Sequence, residues 1–148
     1  PRPKTPHPTD VELEILQVLW EHGPLALSDL CTQLRQERDV ATTTVATMLR
    51  VMVEKKLVRR SKSGRAATWI AAVTHTKTAR QMVGKLVDGV FDGSAQQLVA
   101  HLIEGQRLSD DELAELRRLL NKSTPNRRAH FSGRRDTSGR RDTKGKKP

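Results

Sequence analysis

A mainly α fold with a single short β-hairpin is what this sequence predicts, and three observations predict it. Apolar residues recur at helical spacing in six separate stretches. Three of those stretches open on a Ser/Thr-x-x-Glu/Gln pattern that satisfies orphan amides at a helix start. One pair of short strand-like runs flanks Ser63-Gly64-Arg65. A chain of 148 residues is the size of one ordinary domain or two very small ones, so a large multi-layered enzyme is excluded.

Taken in order, Thr9-Asp10-Val11-Glu12 is a capping box, and Val11, Ile15, Leu16 and Leu19 then share one helical face up to the stop at Gly23-Pro24. Leu25 to Leu27 is a short connector compatible with one extended strand, and Ser28 is the expected N-cap of a second helix burying Leu30, Cys31 and Leu34. Cys31 is the single cysteine, which rules out an internal disulfide; it reads as a core residue, the alternative being a redox-sensing thiol. A third helix is expected from Thr42 to about Lys56, with Val45, Leu49 and Met52 buried and Met48 and Val53 flanking them.

The opposite face of that third helix carries Thr43, Ala46, Thr47, Arg50 and Glu54. Threonine is a poor helix former, so Thr42, Thr43 and Thr44 in succession need a reason; capping needs only one of them. The hairpin follows as Leu57 to Lys62 and Ala67 to Ala71. Three helices and a hairpin in this order form a winged helix-turn-helix over residues 9–73, after a disordered start at 1–8.

Three more helices follow in residues 74–122. Lys77 to Phe91 carries Ala79, Met82, Val83, Leu86, Val87, Val90 and Phe91. Ser94-Ala95-Gln96-Gln97 caps a helix with Leu98, Val99, Leu102 and Ile103, and Ser109-Asp110-Asp111-Glu112 caps one with Leu113, Leu116, Leu119 and Leu120. About fifty residues is near the limit for burying a core alone. Their stripes are wider than so small a bundle needs, which predicts a homodimer held by Met82, Val83, Leu86, Val87, Val90, Leu98, Leu102, Leu113, Leu116 and Leu120.

Charge locates the other partner. The net charge of +10 sits in two blocks: residues 35–65 carry nine basic and three acidic side chains, and residues 124–148 carry nine and two. The first block covers the third helix and the hairpin turn, and points to double-stranded DNA. Thr42, Thr43, Thr44, Ala46, Thr47 and Arg50 would meet the major groove, with Arg60, Lys62 and Arg65 in the wing on phosphates. The second block is a tail over 123–148 that repeats Gly-Arg-Arg-Asp-Thr at 133 and 139 and lacks apolar periodicity. It reads as a disordered extension, either solubilising or serving as a phosphate-binding arm.

Other chemistries find no support. The five histidines are scattered, no Cys/His cluster suits a metal, and no nucleophile-base spacing or glycine-rich phosphate loop occurs, so neither enzyme activity nor a cofactor is expected. No run approaches the roughly 18 apolar residues of a spanning helix. The start lacks the apolar core of a signal peptide, and a cytoplasmic, nucleoid-associated protein without a membrane partner is expected.

From Thr44 through Val45-Ala46-Thr47-Met48-Leu49-Arg50 to Leu57-Val58-Arg59-Arg60, the chain resembles the penicillinase repressor family of the BlaI/MecI/CopY type. Glu12 to Leu16 with Leu19-Trp20, Leu98-Val99, and Leu113 to Leu120 are also similar to it, so that the likeness spans about Thr9 to Lys122. The resemblance implies a bacterial homodimer that represses by occupying a palindromic operator with its third helix in the major groove. It also implies relief of repression by a regulatory protease, which in one branch cuts at an Asn-Phe bond whose place is taken here by His101-Leu102. The copper branch carries paired cysteines near its C-terminus, which this chain lacks. Lys56 stands where many members have glycine. Two rivals remain: a nonspecific or architectural DNA-coating protein relying on the tail, and a winged helix that serves protein interaction.

Overall fold

The computed structural model describes residues 7–62 and 64–127, with side chains as far as Ser123. The expectations for residues 1–6 and for the tail from 128 onward lie outside the described residues. The helices and strands run α1 (Asp10–His22), β1 (Leu25–Ala26), α2 (Leu27–Leu34), α3 (Thr42–Glu54), β2 (Val58–Lys62), β3 (Ala67–Ala71), α4 (His75–Val90), α5 (Ala95–Glu104) and α6 (Asp110–Arg127).

The first capping box forms as the sequence predicts. Thr9 N–H donates to Glu12 Oε2 at 3.0 Å, Glu12 N–H donates to Thr9 Oγ1 at 3.4 Å, and Gly23 ends the helix at φ 77°. The next two helix starts differ from expectation. α2 begins two residues early, with Ala26 and not Ser28 as N-cap and no side-chain cap bond, because β1 runs straight into it. Ser28 lies inside the first turn, where its carbonyl accepts from the Thr32 hydroxyl at 2.9 Å. α3 likewise starts on Ala41 with no side-chain cap bond, so none of its three threonines is spent on capping.

A sheet of order β1-β3-β2, antiparallel throughout, closes the unit. The register sets Val58 against Ala71, Arg60 against Trp69 and Lys62 against Ala67, while β1 adds Leu25 opposite Trp69. Residues two apart share a face. Leu25, Trp69 and Ala71 therefore cover a core made of Ile15, Leu16, Leu30, Cys31, Val45, Leu49, Met52 and Val58, with Leu19, Leu34 and Leu57 at its margin. Cys31 lies in this core, as its apolar position predicted.

The chain divides into two compact units between Ala95 and Gln96, which groups α4 with the winged helix and not with α5 and α6. Local chemistry explains the grouping. The Trp20 indole N–H donates to the Val73 carbonyl at 2.9 Å, and the Trp20 and His75 rings meet edge to face at 5.1 Å. Thr78 and Val87 on α4 are buried. The sequence expectation starts the helical segment at residue 74, and the Trp20–His75 contact that joins α4 to α1 leaves no local signal in the sequence. In the second unit, Ser109 and Glu112 form their reciprocal cap on α6. α6 then continues to Arg127, five residues into the span read as tail, because the helix outlasts its apolar stripe.

Candidate nucleic-acid interface

α3 and the β2–β3 hairpin bring the sequence-predicted residues together in one unit. Val45, Leu49 and Met52 are fully buried, which fixes the roll of α3 and leaves Thr43, Thr44, Thr47 and Arg50 exposed with Ala46 half-buried among them. The Thr47 hydroxyl donates to the Thr43 carbonyl at 2.9 Å. Its proton is thereby engaged. What Thr47 offers outward is a methyl group and oxygen lone pairs, an acceptor and not a donor.

Thr42 has a different task. Arg35, in the α2–α3 turn, donates from its guanidinium to Thr42 Oγ1 at 2.8 Å and to the Val40 carbonyl at 3.1 Å, bracing the approach to α3. Sequence reading missed Arg35, counting it only as part of the basic block. It also missed the second fixture of α3. Lys55, at the C-cap, places its ammonium 2.8 Å from Glu12 Oε2 and 3.0 Å from Oε1, with both side chains 7% exposed. Glu12 thus serves the α1 cap and holds the far end of α3 at once.

The turn after α3 is a Schellman motif. Leu57 N–H reaches the Met52 carbonyl and Lys56 N–H the Val53 carbonyl, while Lys56 takes φ 62°. That is the left-handed conformation which glycine adopts without strain. The turn sends the chain into β2, where Arg60 lies over the Trp69 ring at 5.9 Å from its centroid. Lys62 and Arg65 are exposed, and Arg59 sits on the opposite face of β2 from Arg60. Trp69, read from sequence only as a strand residue, therefore shapes the wing by holding an arginine.

The residues expected to meet a second chain differ in exposure. Val83, Leu86, Val90 and Leu120 are exposed, as are Val99, Ile103 and Leu119 from the same stripes. Met82, Leu98, Leu102, Leu113 and Leu116 are half-buried, whereas Val87 is covered by its own chain and offers a partner little. His101 is exposed and Leu102 half-buried in the last turns of α5. No group of three or more His, Cys, Asp or Glu among the described residues suits a metal ion, and no described helix is long and apolar enough to cross a membrane.

The chain is similar to the methicillin resistance regulatory protein MecI of Mammaliicoccus sciuri, at 24% identity over 119 residues, covering 80% of this chain and 97% of the relative. It is also similar to the penicillinase repressor of Bacillus licheniformis, at 23% identity over 119 residues, covering 80% of this chain and 93% of the relative. A solved structure of the Bacillus licheniformis BlaI monomer with the blaP half-operator aligns with a TM-score of 0.42 and 24% identity, over 46% of this chain and 83% of that one. The penicillinase repressor family model matches residues 8–122, the span of the winged helix and the helices that follow it, and the chain belongs to that family.

Proposed function

We propose that the protein is a DNA-binding transcriptional repressor that occupies a palindromic operator as a homodimer. The observation that carries the reading is the exposed face of α3, where Thr43, Thr47 and Arg50 stand clear of a fully buried stripe, with Arg60, Lys62 and Arg65 beside it in the wing. Family membership supports the same reading, since both relatives above are named as a repressor or a resistance regulator.

Each residue has a role its chemistry fits. Thr47, acceptor-only on its outward side, suits an adenine or cytosine amino group or a thymine methyl. Arg50, one turn later, reaches a guanine or a phosphate. Thr44 at the edge of the face takes a phosphate, as do Lys62 and Arg65. The uncapped amides at the start of α3 suit a phosphate as well. Thr42, held by Arg35, orients the turn rather than the base contact.

The dimer rests on burial. No described residue from 88 to 123 is buried within one chain, while Val83, Leu86 and Val90 on α4 and Val99, Ile103, Leu119 and Leu120 beyond it are exposed. A second copy is the simplest cover for such stripes. Proteolytic relief at His101-Leu102 would require the end of α5 to unwind, because the bond lies within the helix.

Selection from a random duplex pool, followed by a panel of single-base variants of the selected site, tests this. A two-fold symmetric site is expected. Arg50→Ala should cost about 1–3 kcal/mol and change preference at one symmetric pair of positions, whereas Arg65→Ala should weaken selected and random DNA alike. Thr47→Val keeps the methyl and removes the acceptor, so it separates a thymine contact from an amino contact. A pool that yields no preferred site would favour the nonspecific coating protein, and no DNA binding at moderate salt would favour the protein-interaction module.

A further inference from the structure

A half-open groove of about 130 Å³ lies at the junction of α1 and α4, and the DNA-binding reading does not use it. Leu13, Trp20, Ala79 and Met82 form its apolar wall, and Gln17, His75 and Thr78 contribute polar groups. Thr78 is 4% exposed. Its backbone N–H donates to the Thr74 carbonyl at 3.1 Å, and its hydroxyl has no hydrogen-bond partner among the described residues. That oxygen is not among the buried side-chain atoms left without a partner, so it is reached from the groove that Thr78 lines and can pair with an occupant.

We propose that this groove is an effector site for a small uncharged molecule with one hydroxyl or amide-like group on an apolar body. The volume sets the size, since a cavity of about 150 Å³ holds a benzene ring. The described residues of the lining include no carboxylate, lysine or arginine, which sets the charge. The polar group pairs with Thr78, and the body rests on Trp20 and Met82. Position gives the site its consequence. Trp20 and His75 are the residues that tie α4 to α1, so an occupant acts directly on the junction between the winged helix and the helix that bears Val83, Leu86 and Val90.

The effector role rests on the DNA-binding reading, whereas occupancy does not, and the test separates them. Amide resonances of the full chain are followed during titration with phenol and with toluene, which has the same outline without the hydroxyl. Phenol should shift Val73, His75, Thr78 and Met82 saturably, and toluene should bind about tenfold more weakly. Thr78→Val should bring phenol down to the toluene level, and Ala79→Leu, which fills the groove, should abolish both. Shifts that rise linearly without saturation, or phenol affinity unchanged in Thr78→Val, would overturn the site. Affinity for the selected DNA site is then measured with and without saturating phenol. A change in the wild type that is absent in Thr78→Val supports the effector role, and binding of phenol without any such change overturns it. Failure of the DNA reading itself shows separately, as no DNA binding before phenol is added.

Discussion

α3 and α5 carry comparable sequence signals, apolar residues at helical spacing over three or so turns, and the chain treats them in opposite ways. On α3, Val45, Leu49 and Met52 are completely buried; on α5 no residue is. The difference lies in what surrounds each helix. α3 is enclosed by α1, α2 and the sheet, which meet in one core. An apolar stripe therefore states that a face needs covering, and topology decides whether the same chain supplies the cover.

The comparison extends to ion pairs, where the largest effects are expected. Lys55–Glu12 is desolvated, whereas Arg118–Glu115 on α6 has side chains 60% and 51% exposed. Removing one member of a buried pair strands the other, so Lys55→Met should cost about 3–5 kcal/mol in urea unfolding. Glu12→Gln keeps an acceptor for the Thr9 amide, and the double variant with Lys55→Met should recover much of the loss. Arg118→Ala should cost no more than about 1 kcal/mol. A Lys55 variant as mild as the Arg118 one would mean that the pair is solvated.

Truncating the stripes tests the contrast directly. Leu49→Ala should cost about 2–5 kcal/mol at every protein concentration, because it opens a cavity in a closed core. Val90→Ser, at a position 68% exposed, should leave stability at low concentration within about 0.5 kcal/mol and shift sedimentation toward the monomer. Equal losses, independent of concentration, would place Val90 in an intrachain core and remove the contrast.

What was legible in the sequence follows the same division. Local rules located nearly everything that depends on neighbours in the chain: the Thr9 and Ser109 capping boxes, the buried stripe of α3, the hairpin around Gly64 and the exposed threonine face. They failed where a contact spans the fold. The Lys55–Glu12 pair bridges 43 residues, and the Trp20 indole reaches 53 residues to Val73. Trp69 beneath Arg60 depends on strand register, which binary patterning fixes only by face. The helix start at Leu27 differs from expectation because Ser28, a polar residue near the boundary, reads as a cap, although Ala26 holds that place and no side chain caps the helix.

Lys56 offers a smaller test of how tightly the winged helix is built. Its φ of 62° is set by the Schellman closure, with Leu57 and Met52 both in the core. Lys56→Gly relieves the crowding of Cβ in the left-handed region while enlarging the freedom of the unfolded chain. The first effect should prevail, raising stability by up to about 1 kcal/mol in thermal or urea unfolding. A loss would mean that the lysine side chain contributes contacts exceeding its backbone strain.

The smallest expected effect lies in the second unit, where caps stand in for a core. The backbone N–H and the hydroxyl of Ser109 both donate to Glu112, at 2.8 and 3.0 Å, and these bonds hold its carboxyl below its ordinary value of 4.5. A lowered value in the folded chain means that the ionised carboxylate is the form the helix start favours. Its contribution is complete above the unfolded value and is lost as pH falls through the folded one. Helicity of the full chain should therefore decline more steeply below pH 4.5 than that of Glu112→Gln, which retains an acceptor for Ser109 but cannot titrate. Other carboxylates titrate in both proteins, so the difference between the two circular dichroism curves isolates this one. Parallel curves would show that the cap does not sense pH and that α6 owes its helicity to what its leucines pack against.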